Sequence, residues 1–402
     1  MDALMLPSNW QRVRLGNVGK PCMCKRVMKH QTTRYGEIPF YKIGTFGNTA
    51  DAFISKKLFL EYKTKYSFPK KGDILISASG TIGRAVIYDG KPAYFQDSNI
   101  VWIDNDETLV KNDFLFYAYS NVKWDTEHTT ILRLYNDNFR NTLIPLPPLN
   151  EQIAIANILS DVDHYLYSLD ALILKKESVK KALSFELLSQ RKRLKGFNQN
   201  WQRVRLGDIC YLKNGFSFKS DLFKNMGIPI IRISNISSVD NCINTNDLVF
   251  YDPILIDNDY ILKQGDLILA MSGATTGKSC LYNLNKIAYL NQRVGVFRAK
   301  TSFCYDFLVQ FVFSELFTSR LKLILTAGAQ PNISSFDIED FEILLPPLNE
   351  QIAIANILSD LDNEIISLKN KKRQFDNIKK ALNHDLMSTK IRVLKKINFI
   401  TK

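Results

Sequence analysis

The sequence predicts an α+β protein built from two similar mixed α/β units, each followed by a long helix, with the two helices pairing as an antiparallel coiled coil. Three observations carry this reading. The stretch L-P-P-L-N-E-Q-I-A-I-A-N-I-L-S-D-V-D, from Leu146 to Asp163, returns 199 positions later from Leu345 to Asp362 with a single change, Val162 to Leu361. A second marker, W-Q-R-V-R-L-G, opens each half at Trp10 to Gly16 and at Trp201 to Gly207. After Pro147-Pro148 and Pro346-Pro347 the pattern changes abruptly from short apolar runs to a helical repeat. Self-similarity at a fixed period states architecture before function, so each inference applies once per half. The predicted boundaries are 1–148 and 197–347 for the globular units, and 149–196 and 348–402 for their helices.

Within the first unit, short apolar runs broken by Gly, Pro, Asn and Asp read as strands with few helices. Asp73 to Ala78 and Arg84 to Tyr88 form a hairpin around the tip Ser79-Gly80-Thr81-Ile82-Gly83. Tyr94 to Ile103 reads as a further strand, Asn112 to Val122 as a helix, and Thr142 to Pro145 as an edge strand leading out. The second unit repeats the order: a strand ending at Ala270, the tip Ser272-Gly273-Ala274-Thr275-Thr276-Gly277, the strands Lys278 to Tyr282 and Ile287 to Arg298, and a helix from Tyr305 to Leu325.

Proline suits the start of each long helix, Asn150 or Asn349 is placed to cap it, and Glu151 or Glu350 sets negative charge at the positive end of its dipole. Apolar residues then recur at alternating three and four spacings. They are Ile155, Leu159, Val162, Leu166, Leu169, Ile173, Leu183 and Leu187 in the first helix, and Ile354, Leu358, Leu361, Ile365, Leu368, Phe375, Leu382 and Leu386 in the second. Lys176, Lys180, Lys372 and Lys379 interrupt the seams. A heptad pattern held this long predicts a coiled coil, with helices of about 45 residues and roughly 65 Å.

At 402 residues, 46% hydrophobic and 23% charged, the composition is that of a globular protein. The opening M-D-A-L-M-L-P-S-N-W lacks a secretory pattern, and no apolar run reaches the ~18 residues of a membrane span, so a cytoplasmic location without membrane partners is expected. The six cysteines share no metal-knuckle spacing; Cys22-Met-Cys24 reads as reduced thiols, and no metal site is expected. The net charge of +13 fits a polyanion partner. Its distribution is uneven, with 20 basic against 14 acidic side chains in 1–150, 8 against 6 in 151–200, 14 against 14 in 201–349 and 11 against 6 in 350–402.

Catalytic motifs fail on inspection. Ser272 to Ser279 resembles a phosphate-binding loop, but Gly273 leaves three rather than four residues before Gly277-Lys278-Ser279, and a strand rather than a helix follows. The Pro-Pro pairs are flanked by leucines, without the polar and aromatic residues that hold a flipped base. No carboxylate cluster suits a nuclease, and the chain reads as having no catalytic residue of its own. What remains is a set of basic, amide and hydroxyl side chains at and near the tips: Arg34, Tyr41, Lys42, Ser79, Thr81 and Arg84 in the first unit, and Arg232, Ser234, Asn235, Thr275, Lys278, Gln292 and Arg293 in the second. These residue types read base edges and hold phosphates.

Two units with a Lys-x-Gly-Asp-(Ile/Leu)-Leu-like strand and a Ser-Gly tip, each followed by Leu-Pro-Pro-Leu-x-Glu-Gln and a long helix, resemble the specificity subunit of type I restriction–modification enzymes. The resemblance spans nearly the whole chain. It implies two target-recognition domains, each reading one half of a split, asymmetric site in double-stranded DNA, with the helices setting the untouched spacer. It further implies docking of two adenine methyltransferase subunits and then restriction (translocase/endonuclease) subunits, which would carry S-adenosylmethionine, ATP and magnesium. The competing expectation is a coiled-coil interaction scaffold without sequence-specific DNA binding, to which the neutral second unit points.

Overall fold

The computed structural model describes residues 7–128, 132–236, 242–326 and 332–393. The first six residues and the predicted end of the second helix beyond 393 lie outside them. The chain divides into two compact units, Met1–Asp170 with Lys371–Lys402, and Ala171–Asn370. Each unit therefore contains one globular region, the N-terminal half of its own long helix and the C-terminal half of the other.

In the first unit, the strands Gly19–Met23, Ile100–Asn105, Ile74–Ser77 and Ala85–Ile87 form one antiparallel sheet in that spatial order. A second sheet joins Phe53–Ile54, Ile38–Tyr41 and Tyr94–Phe95, the last pair parallel. The second unit repeats the plan, with a sheet of Cys210–Asn214, Val294–Ala299, Leu267–Ala270 and Ser279–Leu281, and another of Val249–Tyr251, Ile228–Ile231, Ala288–Leu290 and Ile261–Leu262. The predicted hairpins are present in both. The repeated Gly-Asp pairs make the turns that start them. Gly72 and Gly265 sit at φ +94° and +92°, where glycine alone is unstrained, and Asp73 and Asp266 accept from the backbone N–H of Lys70 and Lys263 at 2.7 and 2.8 Å.

Two predicted elements are interrupted. The run Tyr94 to Ile103 is split into Tyr94–Phe95 and Ile100–Asn105, because Ser98 adopts φ +54° and Asn99 N–H turns back to the Asp97 carbonyl at 2.6 Å. Ile287 to Arg298 breaks at the equivalent place, between Ala288–Leu290 and Val294–Ala299. The predicted Tyr305 to Leu325 helix is two, Tyr305–Val312 and Glu315–Thr326, because the buried Ser314 hydroxyl accepts the Phe317 N–H and starts the second. The exit strand Leu143–Leu146 pairs with Gln11–Arg14, and Glu342–Leu345 with Gln202–Arg205.

The long helices run from Leu149 to Leu188 and from Leu348 to Met387, 40 residues each rather than about 45. Asn150 and Asn349 do not cap them, since both lie inside the first turn while the Pro148 and Pro347 carbonyls accept the first helical N–H groups at 2.9 Å. The first helix stops short of 196 because Gln190 takes φ +60° and Lys192 N–H closes onto the Glu186 carbonyl; Thr389 at φ +64° and Ile391 onto Asp385 end the second identically.

Pairing of the helices is antiparallel in each unit. In the first, Lys372 meets Asp170 at 2.7 Å, Lys379 meets Asp163 at 2.5 Å, and the rings of Tyr165 and Phe375 lie 4.6 Å apart. In the second, Lys176 meets Glu364 at 2.8 Å, Lys369 meets Glu177 at 2.6 Å, and Lys180 pairs with Asp362. The lysines that interrupt the heptads are thus the charged rungs of the seam. Ile155, Leu159, Leu166, Leu169, Ile173, Leu187, Ile354, Leu358, Ile365 and Leu386 are buried, while Val162, Leu183, Leu361, Leu368, Phe375 and Leu382 are half-buried.

Each helix start carries a buried carboxylate. Glu151 is 0% exposed and accepts from Trp10 Nε1 at 3.1 Å and from Arg392 Nε at 3.1 Å. Glu350, also 0% exposed, accepts from Trp201 Nε1 at 2.9 Å and from Arg193 Nη2 at 2.8 Å. Beside them Gln152 and Gln351 donate to the Pro147 and Pro346 carbonyls at 2.8 and 2.7 Å. Both acids lie in the first helical turn, as the dipole reading expects, and each is also held by side-chain donors. A fully buried charge needs partners, and the tryptophan that opens the marker in each half supplies one of them in each unit.

Candidate nucleic-acid interface

Three loops meet at one end of the sheets in each unit, because the strands Ile38–Tyr41 and Tyr94–Phe95 are parallel and the hairpin of Ile74–Ser77 turns at the same level. In the first unit these are 42–48, 78–84 and 96–99. Arg84 and Thr81 are exposed, and Arg84 Nη2 donates to the Gly47 carbonyl at 3.3 Å, which holds the guanidinium across two of the loops. Tyr41 stacks on Phe95 with ring centroids 5.8 Å apart, and Lys42 pairs with Asp51 at 2.8 Å. Gln96 Oε1 accepts from Ile43 N–H at 3.0 Å, tying the third loop to the first.

Two first-unit candidates do not belong to this surface as expected. Ser79 is 8% exposed and its hydroxyl donates to Asn99 Oδ1 at 2.9 Å, so it staples the tip. Arg34 is exposed but precedes Ile38–Tyr41 at the end opposite to Tyr41 and Lys42, away from the tip. Sequence reasoning missed Gln96, Asp97, Asn99 and Arg133. Arg133 bridges to Ser79 and donates to the Ser98 carbonyl at 3.1 Å.

In the second unit, Gln292 and Arg293 are exposed on the turn 291–293, beside the tip that carries Lys278. Thr275 donates to the Ile233 carbonyl at 3.0 Å, and Ser234 is exposed next to it. Arg232 is committed to Asp247, with Nη2 2.9 Å from both the carbonyl and a carboxylate oxygen. Asn235 is 0% exposed, and its amide donates to the Asn244 and Asp247 carbonyls. It therefore shapes a loop and offers no surface to a ligand, a correction to its place among the contact candidates.

Both glycines of each tip are left-handed, Gly80 and Gly83 at φ +66° and +81°, Gly273 and Gly277 at +80° and +83°. A Cβ on Gly83 would lie 2.1 Å from Trp124 Nε1. Gly83→Ala is expected to cost on the order of 1–3 kcal/mol from backbone strain, with the clash in addition, read as a lowered urea midpoint. The phosphate-loop resemblance of Ser272 to Ser279 fails in three dimensions, since Ser279–Leu281 is a strand. Cys22 and Cys24 both face the aromatic core of the first unit, and burial pushes the Cys24 thiol up to about 12.

Among the described residues, Arg, Gln, Thr and Lys side chains lie on the convergent loops, a set of groups suited to contact with a polyanion. Residues 7–176 and 198–375 match the family described as the type I restriction modification DNA specificity domain, and the chain belongs to that family. Its two globular regions are the target-recognition domains of a DNA-specificity subunit, and the scaffold alternative is not favoured.

Among relatives, the chain is 30% identical over 427 residues to the type I restriction enzyme MjaVIII specificity subunit of Methanocaldococcus jannaschii, covering 99% of this chain and 96% of that protein. It is 64% identical over 148 residues to S.HindORF215P of Haemophilus influenzae, provisionally named a type I restriction enzyme specificity subunit. That match spans 37% of this chain and only 38% of the relative's length. The fold matches the crystal structure of a type I restriction–modification S subunit from M. genitalium with a TM-score of 0.63 at 16% identity, covering 96% of this chain and 99% of that one. A second solved chain, from work on complex assembly and conformational transition of the type I R-M system, gives 0.54 at 17% identity, covering 95% and 98%. At such identities the likeness establishes the fold.

Proposed function

We propose that the first domain reads one half and the second domain the other half of a split, asymmetric DNA site, and that the chain itself performs no chemistry. The observation that carries this is the contrast between halves. The helix starts are nearly identical, whereas the loops that converge at the tips share almost no surface residue, with Thr81, Arg84 and Gln96 in one and Lys278, Gln292 and Arg293 in the other. Different side chains on a common frame read different bases.

The long helices set the spacer, each starting in one unit and ending in the other. Leu149 and Ile153, 40% and 46% exposed, recur as Leu348 and Ile352 at 44% and 42%. The same apolar step offered twice suits two copies of one partner, which we assign to adenine methyltransferase subunits, with restriction subunits joining them. S-adenosylmethionine, ATP and magnesium then belong to those partners, and a cytoplasmic site of action follows from contact with chromosomal DNA. Among the described residues no helix is long and apolar enough to cross a membrane.

The test is duplex binding by the full chain as a function of salt, together with methylation of a split site by the chain assembled with its methyltransferase. Affinity falling steeply with salt and an interrupted, non-palindromic methylated motif are expected. Salt-insensitive binding or a palindromic motif would refute the reading.

A further inference from the structure

The first domain is basic and the second neutral, and the two differ beside the tips. In the first domain the strand Gly19–Met23 pairs Met23 with Val101, so the chain leaves the sheet at the tip end, where Arg26 Nε meets Asp97 at 2.8 Å. The helix Lys56–Lys65 packs inward through Phe59, whose ring is 5.5 Å from Phe68, and Tyr62, 6.0 Å from Tyr94. Its C-terminal end arrives at the same place, with Lys25 Nζ 5.1 Å from the Tyr66 ring and Lys63 Nζ 5.3 Å from that of Phe68. Lys25, Lys29 and Lys63 are exposed and, among the described residues, form no ion pair. The aromatic seats hold two of these ammonium groups extended without neutralising them.

Among the described residues the second domain has no counterpart of the ten-residue helix: the short turn Asn258–Tyr260 stands in its place, Lys219 is exposed without an ion pair, and the two cations nearest that turn are matched by acids. Lys213 lies 3.9 Å from both Asp257 and Asp259, and Lys224 pairs with Asp252.

We propose that the Lys25 to Lys29 segment and the last turn of the Lys56–Lys65 helix form a phosphate-contacting ridge that extends the first domain's footprint along the DNA backbone beyond the bases its tip reads. Among the described residues of the second domain Lys219 stands at the equivalent of the first segment, and no helix brings a second lysine beside it. Nonspecific attachment to duplex DNA is therefore made mainly through the first domain, and sequence reading is shared by both. This rests on the DNA-reading function proposed above and adds to it an asymmetry that a pair of equivalent readers would not have.

The experiment measures affinity of the full-length chain for a fluorescein-labelled duplex of random sequence across a salt series. Each phosphate contact removed lowers the log–log slope by about 0.9, so Lys25→Gln with Lys63→Gln should lower it by about two units. Lys213→Gln in the second domain should leave the slope unchanged, and the charge-conserving pair Lys25→Arg with Lys63→Arg should keep the wild-type slope, which separates charge from folding. An unchanged slope in the Gln pair, or an equal loss in Lys213→Gln, overturns the ridge while leaving DNA reading intact. A wild-type chain without salt-dependent binding overturns both.

Discussion

Arg193→Met is expected to destabilise the second unit by roughly 3 kcal/mol, among the largest losses any single surface-reaching side chain in this protein should give. Its guanidinium donates through Nη2 and Nε to Glu350 at 2.8 and 3.3 Å, and Glu350 has no exposed surface. Removing the cation leaves a buried carboxylate with the Trp201 N–H at 2.9 Å as its main remaining donor. Breaking a buried pair from one side costs about 3–5 kcal/mol, and the 28% exposure of Arg193 places the effect at the lower end. Arg392→Met should do the same to the first unit through Glu151. Because each pair lies within one unit, urea unfolding followed by Trp201 fluorescence should shift for Arg193→Met and stay in place for Arg392→Met. A loss below about 1 kcal/mol would show that water already satisfies the carboxylate.

Gln292→Ala with Arg293→Ala should abolish recognition of part of one half-site while the other half remains readable. Both side chains are exposed on the turn between Ala288–Leu290 and Val294–Ala299, next to the hairpin tip, and these residue types pair bidentately with adenine and guanine in the major groove. Each such contact is worth about 1–3 kcal/mol of discrimination, so the pair should cost at least tenfold in preference for the cognate half. Methylated-motif mapping should show relaxed positions confined to one half. Equal weakening at every site, cognate or not, would mean these residues hold phosphate instead.

The duplication, the hairpins and the helix seam were all legible because each rests on a local pattern: a repeated string, a Gly-Asp turn, a heptad. What escaped was non-local. Glu151 reads in sequence as a helix-dipole residue, yet its donors Trp10 and Arg392 stand 141 and 241 positions away. A signal was present in the repeat itself, since Trp10 and Trp201 share the opening marker and Arg193 and Arg392 are separated by the same 199 positions as the helix starts. The helix ends were misplaced because Gln190 and Thr389 adopt a left-handed cap that glycine usually fills. The loop 96–99 was read as strand because Tyr94 to Ile103 is apolar at both ends and its break depends on Ser98 and Asn99. Polar residue type alone could not separate Arg84 and Arg293, which face solvent, from Asn235, which is spent inside its loop.

Independent reading of the two half-sites, one by each domain, is open to a direct exchange. The direct measurement exchanges residues 1–145 for the corresponding region of another specificity subunit, assembles the chimera with the methyltransferase, and maps methylated adenines genome-wide. One half of the motif is expected to change while the other half and the spacer length are retained. A motif changed in both halves, or in neither, would contradict it.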